Sequence, residues 1–166
     1  MNYPLFGASQ RGVGMIEVLV AVLVLSIGVL GYAGLQLRAL NSTSESHFQT
    51  QASSLAQDAV ERMMANEDML DTYYANPANW PQDEMSNAPL ANWGQCYQNI
   101  CTQPQLAAWD VAQLRWLAWN LLPGGRISAE ECSVSGVLCV TVAWGESTPA
   151  DCDPSDDTCL VMEVLP

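Results

Sequence analysis

Apolar residues are concentrated in one long run near the N-terminus. Positions 18–37 have the sequence VLVAVLVLSIGVLGYAGLQL, which contains no charged residue. About 20 consecutive apolar residues suffice for an α-helix to cross the hydrocarbon core of a bilayer. The run extends upstream to Val13, so that Glu17 lies inside it. The pattern therefore predicts a membrane-spanning helix that contains one carboxylate.

A second, amphipathic pattern follows the apolar run. Its apolar residues recur at spacings of three and four, with Gln, Ser, Asp and Glu between them: Phe48, Ala52, Leu55, Ala56, Ala59, Val60 and Met63. This spacing places them on one face of a helix. No proline occurs between Val13 and Asn66, so one helix is predicted over that whole range. Its second half is expected to lie against a globular head.

The C-terminal half changes from helical to strand-like patterns. Thr102 or Gln103 followed by Pro104 is typical of a helix start. We expect this helix to end at Leu122-Pro123-Gly124-Gly125 and to carry an apolar face. The residues predicted for that face are Leu106, Trp109, Leu117 and Leu121, with Leu114 and Trp116 beside them.

Three later segments alternate in the manner of strands and are rich in Val, Leu and Thr. They are Ile127–Glu131, Val137–Trp144 and Leu160–Leu165. Residues 69–95 contain several prolines and are predicted to form a loop. The fold class predicted is α+β, with a long N-terminal helix packed on a small C-terminal antiparallel sheet.

Charge and composition narrow the function. The chain of 166 residues has five Arg, no Lys and 18 acidic residues, for a formal net charge of −13. Such a chain repels phosphate backbones, so nucleic-acid binding is not expected. The sequence contains one histidine, His47, and neither a G-x-S-x-G nucleophile motif nor a glycine-rich phosphate-binding loop. We therefore expect a protein that is not an enzyme and has no cofactor.

All six cysteines occur in the C-terminal half: Cys96, Cys101, Cys132, Cys139, Cys152 and Cys159. An even number in a small domain is typical of disulfides formed in an oxidising compartment. Their spacing favours pairing of sequence neighbours. A two-residue turn at Ser135-Gly136 would place Cys132 directly opposite Cys139, with Cα atoms about 4.5–5.5 Å apart, which suits a disulfide.

Four carboxylates crowd the last loop, at Asp151, Asp153, Asp156 and Asp157. Hard cations such as Ca²⁺ take several carboxylate oxygens. The spacing does not match an EF-hand loop, and Pro154 interrupts it. We therefore predict a solvated acidic loop, with calcium as the weaker alternative, and no other metal site.

Glu17 distinguishes the apolar run from a simple anchor. A carboxylate inside a bilayer costs roughly 2.5–3.5 kcal/mol on insertion scales. A cleaved secretory signal would have a shorter apolar stretch followed by a small-residue cleavage site, and neither occurs here. The acid therefore needs a partner.

The segment RG-VGMIEVLVAVLVLSIGVLGYAGLQ, beginning at Arg11-Gly12, resembles the N-terminus of type IV prepilins. The resemblance implies that a prepilin peptidase cuts after Gly12 and that the new terminus, Val13, is N-methylated. It also implies that Glu17 pairs inside a filament with the terminal amine of a neighbouring subunit, and that the fold is that of a type IV pilin.

Four segments are similar to the PilV minor pilins, also called type IV pilus modification proteins. They are LSIGVLGYAGLQ at 25–36, LAQDAVERMMAN at 55–66, AAWDVAQLRWLAWNLLPGG at 107–125 and the following CVTVAWGE. This resemblance implies a structural subunit that helps to prime pilus assembly and so supports piliation, twitching motility and adhesion. The implied partners are the prepilin peptidase, the major pilin, other minor pilins and the inner-membrane assembly platform.

The predicted organisation has four parts: a leader at 1–12, a transmembrane or filament-core half-helix at 13–37, an amphipathic half-helix at 38–70, and a disulfide-bonded head at 71–166. Basic residues flank the span almost equally, so charge does not orient it. The cysteines do, because disulfides require an oxidising compartment. We expect a single-pass inner-membrane protein with a cytoplasmic N-terminus and a periplasmic head, which is later displayed on the pilus.

Two other functions remain open from the sequence. A minor pseudopilin of a type II secretion system would share the leader, helix and sheet. A membrane-anchored periplasmic binding module would share the anchor, although it would have no use for Glu17. A pilin for DNA uptake is disfavoured by the negative charge.

Overall fold

A computed structural model describes residues 12, 14–83, 96, 100–132, 135–153 and 155–164. The chain divides into two compact units, residues 1–43 and 44–166. Helix α1, Met15–Ala65, contributes residues to both. We call the first unit the N-terminal unit and the second unit the head.

The described part of the N-terminal unit is helical from Met15 onwards. The carbonyl of Gly14 accepts the backbone N–H of Glu17 at 3.0 Å and begins the helix. The helix predicted over Val13–Asn66 is thus present over Met15–Ala65, while Val13 lies outside the described residues. Its first 29 residues contain no proline to interrupt the ladder of backbone hydrogen bonds.

The head contains the rest of α1, a second helix and a three-stranded sheet. Helix α2 is Gln103–Leu121. The strands are β1, Arg126–Glu131, β2, Leu138–Ala143, and β3, Cys159–Val164. They are antiparallel and lie in the order β1-β2-β3. The predicted fold class, a long N-terminal helix with a small C-terminal antiparallel sheet, is confirmed.

Helix α2 starts where the polar residues predicted it. Thr102 is the N-cap and Pro104 lies in the first turn, where a missing N–H costs nothing. The Gln105 side-chain oxygen accepts the Thr102 backbone N–H at 3.0 Å, which satisfies one of the donors at the helix end. The start of α2 is therefore set locally, by residues at positions 102, 104 and 105 whose types favour the beginning of a helix.

The buried face of α2 agrees with the predicted one only in part. Trp109 and Leu114 are buried as predicted, whereas Leu106 and Leu121 are 37% and 42% exposed. Ala107 and Ala118 are each 0% exposed and complete the buried face. A ranking by hydrophobicity alone overlooked these two alanines.

One apolar cluster fills the head between the helices and one face of the sheet. The α1 stripe supplies small residues and Met63, as its periodicity predicted. The sheet supplies alternate residues of β1 and β2, where Ile127 pairs with Val142 and Ala129 with Val140. All four of these side chains are buried. Burying one such aliphatic side chain stabilises the fold by about 1.5–3 kcal/mol.

The pairing of β1 with β2 differs from the predicted register. Glu131 pairs with Leu138, and the N–H of Cys132 donates to the Val137 carbonyl at 2.7 Å, so Cys132 is not directly opposite Cys139. The N–H of Gly136 donates to the Cys132 carbonyl at 3.1 Å, and Gly136 has φ +69°. Glycine adopts that left-handed conformation at little cost.

The predicted loop at 69–95 contributes to the core. Its described part, residues 69–83, contains the short helical turns Leu70–Tyr74 and Pro77–Asn79. The side chains of Tyr74 and Trp80 are 0% and 1% exposed. The predicted loop thus contributes two buried aromatic side chains, which fill space that alanine-rich helices leave open.

Candidate functional site

The N-terminal unit presents an almost wholly apolar surface. Its large apolar side chains from Met15 to Leu40 are each more than half exposed. The most apolar stretch of this helix has none of its residues buried within the described chain. By length and composition, the helix could therefore cross a membrane. Exposed apolar surface of this extent marks an interaction with lipid or with other proteins.

Glu17 lies in the first turn of α1, on this apolar surface. Its side chain is exposed, and no cation of the described residues forms an ion pair with it. The helix dipole stabilises an acid at this position by only about 0.3–1 kcal/mol. The cost in lipid is larger, at roughly 2.5–3.5 kcal/mol. Within the described chain nothing relieves that cost, so the relief has to come from outside.

The predicted cleavage position is Gly12-Val13. Gly12 is exposed, and a Cβ built on it would meet no atom within 4 Å. The described residues therefore impose no steric need for glycine at this position. Val13, the predicted site of methylation, lies outside the described residues, as does the leader at 1–11.

A polar network joins α1 to α2 inside the head. Arg62 donates from Nε to Asp58 at 2.9 Å and from Nη1 to Asp110 at 3.3 Å. The second oxygen of Asp110 accepts the Tyr74 hydroxyl at 3.0 Å. The Trp80 indole N–H donates to the Tyr74 carbonyl at 2.8 Å. The same chain of contacts therefore ties both helices to the segment 69–83.

Burial sets the protonation of this network. It raises the pKa of Asp110, and the hydrogen bond from Tyr74 and the charge of Arg62 only partly oppose that rise. Burial and the negative charge of Asp110 also raise the pKa of Tyr74. Desolvation disfavours the Arg62 cation, but its two carboxylate partners outweigh desolvation and raise the pKa of Arg62. The network is therefore a structural ion pair that holds a buried charge.

Sequence reasoning did not single out Asp110, Tyr74 or Trp80. A usable signal was present, since Asp110 lies between Trp109 and Val111 on an apolar helix face. A carboxylate there requires a buried partner. The partner, Arg62, is 48 positions away and belongs to the LAQDAVER segment.

The structure places each cysteine pair that the spacing favoured within one disulfide. Cys96 is bonded to Cys101, Cys132 to Cys139 and Cys152 to Cys159, with Cα atoms 5.3, 5.1 and 5.7 Å apart. Two of these bridges brace the sheet, since Cys139 lies in β2 and Cys159 begins β3. Short covalent loops of this kind stabilise a domain mainly by restricting the unfolded chain.

The acidic loop does not form a common ligand set. Asp153 Oδ1 accepts the backbone N–H of Ser155 at 2.9 Å, and Asp151 Oδ2 accepts the Thr148 hydroxyl at 2.8 Å. In the described part of the chain, the one group of metal-type ligands within 4.8 Å of one another is Cys132, Cys139 and Glu163. Two of these three are in a disulfide, so their sulfurs are not thiolates.

Comparison with known proteins adds to this geometry. Residues 34–112 match a family model described as type IV pilin Tt1218, of the Tt1218-like family. Residues 7–33 match the prokaryotic N-terminal methylation motif, which implies processing by a prepilin peptidase. No curated protein and no solved structure gives a significant match.

The two matches adjoin and together run from residue 7 to residue 112, which includes the whole of α1 and half of α2. The motif match covers Gly12, Val13 and Glu17. The pilin match covers the Arg62–Asp110 ion pair. With the apolar N-terminal helix and the small antiparallel sheet, these findings support a type IV pilin, a structural subunit of a pilus.

Proposed function

We propose that this pilin is a minor pilin of the PilV type, which primes assembly of a type IV pilus. Two of the segments similar to PilV carry the residues that tie the C-terminal part of α1 to α2 inside the head. Arg62 and Asp58 belong to LAQDAVERMMAN and Asp110 to AAWDVAQLRWLAWNLLPGG. The similarity therefore extends to contacts inside the head, and not only to the N-terminal motif.

The observation that carries the assembly role is an exposed, unpartnered Glu17 on an apolar helix. Cleavage after Gly12 would create a positive amine at Val13. In a filament, Glu17 of one subunit would pair with the terminal amine of a neighbour. Because a buried charge without a partner is costly, only the correct axial stagger between subunits would be favourable.

The same proposal specifies where the protein is processed, where its head folds and where it is assembled. The precursor lies in the inner membrane with its N-terminus in the cytoplasm, where the prepilin peptidase removes residues 1–12 and Val13 is N-methylated. The head, with its three disulfides, folds in the periplasm. The mature subunit then joins the major pilin and other minor pilins on the assembly platform, and supports piliation, twitching motility and adhesion.

The N-terminus of the mature protein tests this route. Mass spectrometry of the protein from sheared pili should show a terminus at Val13 that carries a methyl group. Gly12→Ala should leave precursor in the membrane, because the demand for glycine comes from the peptidase and not from the chain. Gly14→Ala is the matched control and should be processed. A retained leader in assembled pili would refute the proposal.

A further inference from the structure

A groove of about 500 Å³ lies on the face of the sheet opposite the apolar core. Side chains of all three strands form its floor. One wall contains the Cys132–Cys139 disulfide, and the other contains the turn Pro149–Asp151 with Cys152. Disulfides in both walls restrict the movement of the groove, so its shape is set before any partner arrives.

Three carboxylates line this groove, from Glu130, Glu131 and Glu163, and no basic residue does. The strand register places Glu130 and Glu163 in one row, on either side of Cys139. Neighbouring strands are about 4.8 Å apart, so these two Cα atoms are separated by roughly 10 Å. A single ammonium or guanidinium group above Cys139 would reach both carboxylates.

At least one of these carboxylates is held in a fixed orientation by a neighbouring side chain. The Ser135 hydroxyl donates to Glu163 Oε1 at 2.9 Å, which orients that carboxylate. In the next row, the groove is lined by Thr141, whose side chain is nine-tenths buried because the residue is only 5% exposed. Its hydroxyl forms no hydrogen bond with any other described residue. The hydroxyl oxygen is not itself fully buried, because the one described buried side-chain polar atom without a partner is Gln51 Oε1. It is therefore open to a hydrogen bond from a ligand in the groove.

The charge of the chain decides which occupant fits. A second copy would bring a net charge of −13 to the same surface. The head's own arginines already donate within the chain: Arg62 to Asp58 and Asp110, Arg115 to Asp83, and Arg126 to the carbonyl of Ser147. The head of another copy therefore has no described cation free to enter the groove. We propose that the groove binds a lysine- or arginine-bearing segment of a different protein.

The test uses the full-length mature protein in a neutral detergent and a fluorescein-labelled peptide of alternating lysine and glycine. Binding is followed by fluorescence anisotropy at about 0.15 M salt, where the Debye length is ~8 Å and distant charges are screened. The key variant is the double replacement Glu130→Gln with Glu163→Gln. The matched control is Glu61→Gln with Glu67→Gln, which removes the same charge from exposed positions of the head outside the groove.

Replacing the two groove carboxylates should weaken binding at least about tenfold, as expected for the loss of charge-assisted hydrogen bonds. The control should change it by less than about twofold, because screened, distant charges contribute little. Thr141→Val keeps the size of the side chain and removes the hydroxyl, and should weaken binding by roughly three- to tenfold. Near-ultraviolet circular dichroism should be the same for all variants.

Three results would overturn the proposal. Equal weakening by both double variants would show diffuse attraction to an acidic surface. Calorimetric binding of calcium chloride alone, abolished in the groove variant, would assign the groove to a divalent cation. Self-association in analytical ultracentrifugation, abolished in the same variant, would assign it to a second copy. None of these results bears on the cleavage after Gly12 or on the role of Glu17.

Discussion

The N-terminal unit and the head of this protein differ in where their apolar side chains lie. In the first, large apolar side chains are exposed from Met15 to Leu40, and the chain offers them no internal partner. In the second, the apolar side chains of α1 are buried in a cluster with α2 and the sheet. A salt-bridge network and three disulfides hold that cluster together.

The difference shows that the two parts of one continuous helix have different surroundings. Up to residue 43 its apolar side chains are exposed, as suits contact with lipid or other proteins, and from Phe48 onwards one face of the helix packs against the chain's own core. Substitutions in the first part should therefore affect assembly and leave the stability of the head unchanged. Substitutions in the second part should do the reverse.

The largest effect is expected at Glu17. Glu17→Val should reduce the amount of protein in sheared pili by more than about tenfold, since losing one partner of a buried pair costs roughly 3–5 kcal/mol. The amount in the inner membrane should not fall, because the substitution removes the cost of a carboxylate in lipid. Immunoblots of both fractions measure the two quantities side by side.

Glu45→Val is the matched control for Glu17→Val. It removes the same charge from an exposed position of the same helix, within the head unit. This variant should enter pili at the wild-type level. Wild-type amounts of Glu17→Val in sheared pili would show that the acid has no role in assembly.

The next largest effect is expected at Trp80. Trp80→Ala should lower the free energy of unfolding of the head by about 3–5 kcal/mol, because a fully buried aromatic side chain leaves a cavity. Trp116→Ala, at a partly exposed position of α2, should cost less. Leu25→Ala, in the N-terminal unit, should not change unfolding of the head. Chemical denaturation followed by tryptophan fluorescence compares the three, and a large effect of Leu25→Ala would contradict the division into two regions.

A smaller effect is expected from the hairpin disulfide. Replacing both Cys132 and Cys139 with Ser should destabilise the head by roughly 2–3 kcal/mol, the chain-entropy value for so short a loop. The helical signal in far-ultraviolet circular dichroism should stay unchanged before the transition, because most of it comes from α1 and α2. An unchanged melting temperature would show that the bridge is not a brace for the sheet.

The smallest effect concerns Asp110 and pH. Because burial raises the pKa of Asp110 in the folded head, the folded state binds this proton more tightly than the unfolded chain does. Its contribution to stability is therefore present below the unfolded pKa and is lost as pH rises through the folded pKa. Asp110→Asn should remove this dependence. The advantage of wild type over the variant should grow as pH falls through that window, and a pH-independent difference would contradict the assignment.

Local patterns were enough to predict most of the secondary structure. The proline-free apolar and amphipathic stretch predicted α1 to within two residues at its start and one at its end. The cap at Thr102 predicted the start of α2, and alternation predicted the three strands to within one or two residues of their described bounds. Each signal depends on residues close in sequence, such as a turn, a cap or a helical face. The resemblance to the type IV pilins, too, was recognised first from a short contiguous N-terminal motif.

Tertiary structure alone decided which side chains meet. Nothing local showed that Asp110 would find Arg62 and Tyr74, since those contacts close loops of 48 and 36 positions. Nor did it show that Trp80, beside a proline, would be buried, or that alanines would define the core face of α2. The register of the hairpin, and with it the row of Glu130, Cys139 and Glu163, likewise depends on how the strands pack. Non-local packing makes these choices because each site is filled by whichever side chain the whole fold brings to it.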